Sequence, residues 1–219
     1  MKVLAALAAL MFCWAQWMIW SYAPVEATMG LAQKIFYIHL PLAWWALISF
    51  FAVFAASIAY LATGHDRYHM LAGAAAEIGV LFSGLALVTG ILWARASWGV
   101  WWTWDPRLTT TLVMWFVYAA YLSLRASPEG GAGRAKACAV LGVAAFLNVP
   151  FVFLSARMWR SIHPAVIASE GGGMPASMWH AVGTSVGAFG LLWIGLVLLR
   201  TRQMTMLRAV ETRLLAGEE

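Results

Sequence analysis

The chain has 219 residues, 63% of them apolar and 11% charged, with a formal charge of +5 and a mean hydropathy of +0.78. That balance excludes a soluble globular domain and places the chain among polytopic membrane proteins. The few Lys and Arg residues are scattered between apolar runs, so nothing points to a nucleic-acid partner.

Six apolar segments follow in chain order, at residues 3–22, 40–63, 71–93, 108–124, 137–156 and 178–199. Most approach the ~20 residues that a helix needs to cross the hydrocarbon core. They predict an all-α integral membrane protein, a single domain over residues 1–219 with six transmembrane helices. An even number puts both termini on one side. With the termini inside, nine Lys and Arg lie inside (Lys2, Arg67, Arg125, Arg134, Lys136, Arg200, Arg202, Arg208, Arg213) against five outside (Lys34, Arg95, Arg107, Arg157, Arg160). The excess predicts cytoplasmic N and C termini.

The first segment resembles a secretory leader, with Val25-Glu-Ala27 in the place of a cleavage site. Its apolar run of about twenty residues is longer than a usual leader core, so it is expected to stay as helix one. Pro41 is expected in the first turn of helix two, where its missing N–H costs nothing. His65 and His69 fall in an inner polar turn and read as solvated. Glu77, in helix three, is an ionisable group in a membrane segment and is expected to snorkel, to pair, or to serve a substrate. Cys13 and Cys138 lie on separate helices, and no disulfide is expected between them.

Helix three runs into Trp98-Gly-Val-Trp-Trp-Thr-Trp-Asp105, which places Trp98, Trp101, Trp102 and Trp104 within eight residues. Asp105 followed by Pro106 reads as the N-cap and first position of helix four. If the segment is helical, Trp98, Trp101, Trp102 and Asp105 share one face, and that helix lies flat in the outer interface. Residues 127–136 make an inner Gly-rich connector. Asn148 and Pro150 predict a kink in helix five. The last outer loop carries Arg157, Trp159, Arg160 and His163 before a triple glycine at 171–173, and reads as a gate or partner contact. His180 opens helix six. The basic tail from Arg200 to Arg213 suits anionic lipid or a cytoplasmic partner.

Tryptophan offers a broad apolar face and one N–H donor, so four together suit a large planar ligand with polar edges, such as a porphyrin. The competing reading is an interfacial anchor. The histidines bear on the choice. His39, His163 and His180 fall on the outer side with the tryptophans, and His65 and His69 on the inner side. Haem iron takes an axial ligand on each face, and His39 and His163 come from separate chain segments that could flank one ring. His180 is an alternative ligand. Arg95, Arg107, Arg157 and Arg160, on the same side, are candidates for the propionates. No Cys-x-x-Cys-His occurs, so the chain is not itself a c-type cytochrome.

The run Trp98-Gly-x-Trp-Trp-x-Trp-Asp105 resembles the tryptophan-rich signature of the haem-handling membrane proteins of cytochrome c maturation, and over nearly its whole length the chain is similar to the CcmC (haem exporter protein C) family. Supporting matches are Tyr37-Ile-His39-Leu-Pro41, Leu87-Val-Thr-Gly90, Asp105-x-Arg-Leu-Thr109, Asn148-x-Pro150, and Trp159 with His163. The resemblance implies six helices in the bacterial inner membrane, with the tryptophans at the periplasmic face. It implies haem b held through His39 and His163, with Trp98, Trp101, Trp102, Trp104, Asp105 and Trp159 around it. It also implies delivery to the periplasmic chaperone CcmE, alongside CcmA, CcmB and CcmD. On this reading the protein binds and transfers haem and is not an enzyme. A haem b electron-transfer subunit would want histidines deep in the helices, and a haem channel would want a polar route across the membrane; these are the alternatives.

Overall fold

The computed structural model describes residues 1–127, 131–159 and 174–217. Among them the chain is helical and forms no strand beyond an isolated bridge between Glu26 and Gly30. The helices are α1 (Lys2–Trp17), continued by a π-helical turn (Met18–Tyr22); α2 (Phe36–Thr63), preceded by a 3-10 turn (Leu31–Ile35); α3 (Asp66–Trp98); α4 (Pro106–Ala126); α5 (Gly131–Ala145); α6 (Asn148–Met158); and α7 (Ala176–Gly217). Five stretches are long and apolar enough to cross a membrane: Lys2–Tyr22, Leu31–Thr63, Asp66–Trp98, Gly133–Ser155 and Ala176–Val210. α4 has 21 residues, but three consecutive threonines and an arginine near each end dilute its apolar character. The chain is therefore an all-α membrane protein.

Helices run past the apolar segments because hydropathy marks the hydrocarbon core, whereas backbone hydrogen bonds continue into the interface. α2 starts four residues before Leu40, which puts Pro41 inside the helix rather than in its first turn. The cause lies at Lys34. This lysine is only 5% exposed, and its ammonium donates to the carbonyls of Ile19 and Ala23 and lies 5.4 Å from the Trp20 ring. Its charge is met by the π-helical turn and the residue that follows it, so the chain can coil before Leu40. α7 extends through the basic tail. The expected kink near Asn148 and Pro150 is present as a two-residue turn between α5 and α6, inside the single apolar stretch Gly133–Ser155. Pro150 cannot donate to the Phe146 carbonyl, and the Val149 N–H takes that acceptor instead, at 2.9 Å.

The main core packs α2 against α3, with Phe50 stacked on Tyr118 of α4 at 3.7 Å. Tryptophans also tie the bundle through their indole N–H groups. Trp45 donates to the Val186 carbonyl at 2.9 Å, Trp115 to the Val80 carbonyl at 3.1 Å and Trp193 to Ser49 Oγ at 2.6 Å. Glu77 pairs with Arg200 of α7 through two bonds, at 2.5 and 3.0 Å. His69 is not solvated: its Nδ1 accepts from Arg125 Nη1 at 3.0 Å and its ring meets Tyr60. That partner comes from α4, 56 residues away, beyond the reach of local sequence reading.

In the turn after α1, the Glu26 carboxylate accepts the N–H groups of Met29 and Thr28. The Met29 bond chiefly holds its pKa below the ordinary carboxylate value. A lowered pKa stabilises the turn above the unfolded carboxylate pKa, and this is lost as pH falls through the folded value. Amide exchange at Met29 should therefore quicken on acidification, measured against an exposed amide elsewhere. Lys34→Met leaves two buried carbonyls unmet and should cost about 2 kcal/mol, read as a lower melting temperature in detergent.

Candidate functional site

The His39 imidazole lies between α2 and one stripe of α3. Its Nδ1 is 3.0 Å from the Ala86 carbonyl and 3.1 Å from Thr89 Oγ1. A carbonyl only accepts, so Nδ1 carries the hydrogen and donates. The Thr89 hydroxyl donates to the Leu85 carbonyl at 2.8 Å and so can accept from the ring. This hydrogen-bond pattern assigns the tautomer and leaves Nε2 with its lone pair, the arrangement of a metal-binding histidine anchored through its other nitrogen. Gly90 makes room for the ring: a Cβ there would stand 3.2 Å from His39 Cε1. The Trp93 ring closes the stripe at 6.0 Å. Ala86, Thr89, Gly90 and Trp93 follow the i, i+3, i+4, i+7 spacing of a single helix face.

Trp93 is buried against Phe36 and stacks on Trp98 at 6.4 Å, which links the histidine to the tryptophan segment. α3 ends at Trp98 because Gly99 adopts φ +74, a left-handed conformation that a side chain would strain, and its N–H returns to the Arg95 carbonyl at 3.2 Å. From Gly99 to Asp105 the chain is irregular. The segment is thus a tryptophan-rich loop, and the conditional face that a helix would have given Trp98, Trp101, Trp102 and Asp105 does not form. The left-handed glycine and the Asp105-Pro106 helix start leave too short a stretch to nucleate a helix between them.

Asp105 is the N-cap expected from its sequence: it is 7% exposed, and its Oδ1 accepts the Arg107 N–H at 2.9 Å. Trp101 and Trp104 are 57% and 77% exposed. Trp102 meets Trp104 edge-on at 5.8 Å. The Arg95 guanidinium lies over the Trp101 ring at 5.6 Å and donates to the Gly99 carbonyl, so the cation is tied into the segment. Trp93 Nε1, Ser97 Oγ, Trp102 Nε1, Thr103 Oγ1 and Thr109 Oγ1 are buried without a hydrogen-bond partner among the described residues. Unmet buried polar atoms are costly. Their concentration beside an open aromatic face and a free imidazole Nε2 fits a flat apolar ligand with polar edges.

The remaining candidates are less gathered. His180 lies at the same end of the bundle, but its Nδ1 is 3.1 Å from the Tyr22 hydroxyl and its ring stacks on Tyr22. Its neighbours Met178, Ala181 and Val182 bury toward Trp93, whereas His180 is exposed. Trp159 packs edge-on against Phe151 at 6.2 Å and is otherwise exposed. Arg107 is half-buried in the first turn of α4. His163 and Arg160 lie outside the described residues, as does the side chain of Arg157. Sequence reading passed over Trp93 as a helix end and took Thr89 and Gly90 only as family matches. Their spacing from Ala86 was the available signal.

The family model described as Heme exporter protein C matches residues 1–216. The chain belongs to the haem exporter protein C family. Relatives named Heme exporter protein C include that of Bradyrhizobium diazoefficiens, 33% identical over 87% of this chain and 73% of the relative. That of Rhodobacter capsulatus is 32% identical over 90% and 84%, and that of Escherichia coli K12 is 30% identical over 86% and 78%. Membership gives the chain a role in haem delivery for cytochrome c maturation, as a multi-pass membrane component.

The cap role of Asp105 can be separated from any contact with haem. Asp105→Ala should cost about 1 kcal/mol at the start of α4, seen as faster amide exchange at Arg107 to Thr109, whereas Asp105→Asn should keep the protection.

Proposed function

We propose that this member of the haem exporter protein C family holds haem b at the periplasmic face of the bacterial inner membrane, with His39 and His163 as axial ligands, and passes it to the chaperone CcmE. The observation that carries the reading is the His39 Nδ1–H donated to the Ala86 carbonyl, which leaves Nε2 for iron. The exposed tryptophan segment supports an open platform whose cargo a partner can reach, and Arg95, Arg107, Arg157 and Arg160 supply cations for the propionates. Asp105 serves the platform as the cap that fixes its end. The chain's own work is to bind and orient haem, and no protein nucleophile acts on it. CcmA, CcmB and CcmD are the proposed membrane and cytoplasmic neighbours.

In this reading α4 is a further crossing, which makes six and puts both termini in the cytoplasm, as the Lys and Arg distribution favours. A channel or an electron-transfer subunit has less support. Glu77 is paired with Arg200, and His69 accepts from Arg125 rather than facing a second haem.

The test is the visible spectrum of the detergent-purified protein, as isolated and after dithionite. Wild type should give a reduced low-spin bis-histidine spectrum, and His39→Ala and His163→Ala should each lose or alter it. Unchanged haem content in both variants would overturn the ligand assignment. Gly90→Val crowds the imidazole and should weaken haem retention about tenfold with helical content unchanged by circular dichroism.

A further inference from the structure

At the end of the bundle opposite the tryptophan segment, side chains from α2, α3, α4, α5 and α7 line a half-open cavity of about 710 Å³. It extends along α3 from Asp66 to Glu77, about 16 Å of helix. Arg125, Arg134, Arg200 and Arg208 line it, against the carboxylates of Asp66 and Glu77. Glu77 is taken by Arg200, and Asp66 by Arg208 at 3.0 Å. Arg125 and Arg134 form no ion pair with any described residue, and the described lining carries four arginines against two carboxylates.

Arg125 is also held in place. It donates to His69 Nδ1 at 3.0 Å and to the Tyr121 hydroxyl at 3.4 Å. Its guanidinium fills a notch left by Gly73, where a Cβ would come within 2.4 Å of Nη2. A cation fixed in this way loses little freedom when an anion arrives. Arg134 stands at the start of α5, on the same wall as Ala135.

The cavity also has an apolar side. α4 packs along α3, α5 and α6, whereas α7 packs along α1, α2 and α3, so among the described residues no close helix packing joins α4 to α7. Leu122 of α4 and Met204 and Leu207 of α7 flank that opening. A soluble anion has no use for an apolar exit into the bilayer, but a lipid does.

The geometry points to a binding site for an anionic phospholipid, its phosphate between Arg125 and Arg134 and its acyl chains leaving between α4 and α7. The site is independent of the haem reading, because it lies at the other end of the bundle and shares no residue with it.

The full chain in detergent is mixed with phosphatidylglycerol or phosphatidylcholine, and retained lipid is counted by native mass spectrometry. Wild type should retain phosphatidylglycerol about tenfold or more over phosphatidylcholine, and R125Q/R134Q should lose that preference. R67Q makes the same charge change on an exposed side chain outside the cavity and should keep it. If the double variant does not fold, R134Q alone, which breaks no ion pair among the described residues, should still reduce retention. Equal retention of the two lipids, or an equal loss in R67Q, would overturn the proposal. Complete displacement of phosphatidylglycerol by millimolar inorganic phosphate would overturn it too, and would reassign the cavity to a soluble anion.

Discussion

The seam between α2 and α3 carries both ends of the molecule. Along it, one turn of α3 accepts the His39 Nδ1–H on a backbone carbonyl, and the missing side chain of Gly90 lets the ring come close enough to donate. Farther down the same helix, Glu77 reaches α7 and Gly73 receives the Arg125 guanidinium. α3 therefore sets the position of the histidine, of the Trp93 to Trp98 stack and of the far cavity. Over 33 residues, about 50 Å of helix, it keeps the tryptophan-bearing end and the charged end in fixed relation.

The tryptophans divide into two populations with different physics. Trp45, Trp115 and Trp193 donate their indole N–H groups to neighbouring helices and act as ties within the bundle. In a membrane, helix contacts gain little from the hydrophobic effect, and such hydrogen bonds with close packing take over part of the role. Trp101 and Trp104 do the reverse, leaving large apolar faces uncovered at the end of the bundle. Irregular backbone suits that task. A helix would space the rings around an axis, whereas the stretch after Gly99 can present them according to local turns.

What the sequence made legible was chiefly local. The membrane class, the tryptophan segment and the Asp105 cap each depend on residues close in the chain, and each stands in the structure. The sorting of His39 and His180 to the tryptophan end, and of His65 and His69 to the other, also followed, because helix direction alternates. Long-range partners were not legible. Burial of Lys34 depends on carbonyls 15 and 11 residues earlier, and the His69 bond depends on Arg125 of another helix. Periodicity alone left a helical face open for the tryptophan segment, because it does not register a left-handed glycine as a stop. Helix ends were set too early or too late wherever hydropathy was made to stand for hydrogen bonding.

The hydrogen bond from His39 to Ala86 has a consequence for how the site could be emptied. Any metal at Nε2 competes with a proton for a single lone pair. Protonation would leave the Nδ1–H and its carbonyl partner untouched, since an imidazolium donates from both nitrogens. Under the proposed ligation, acid would thus displace the iron while the seam between the two helices stayed closed, and raising the pH would return the Nε2 lone pair in its original orientation.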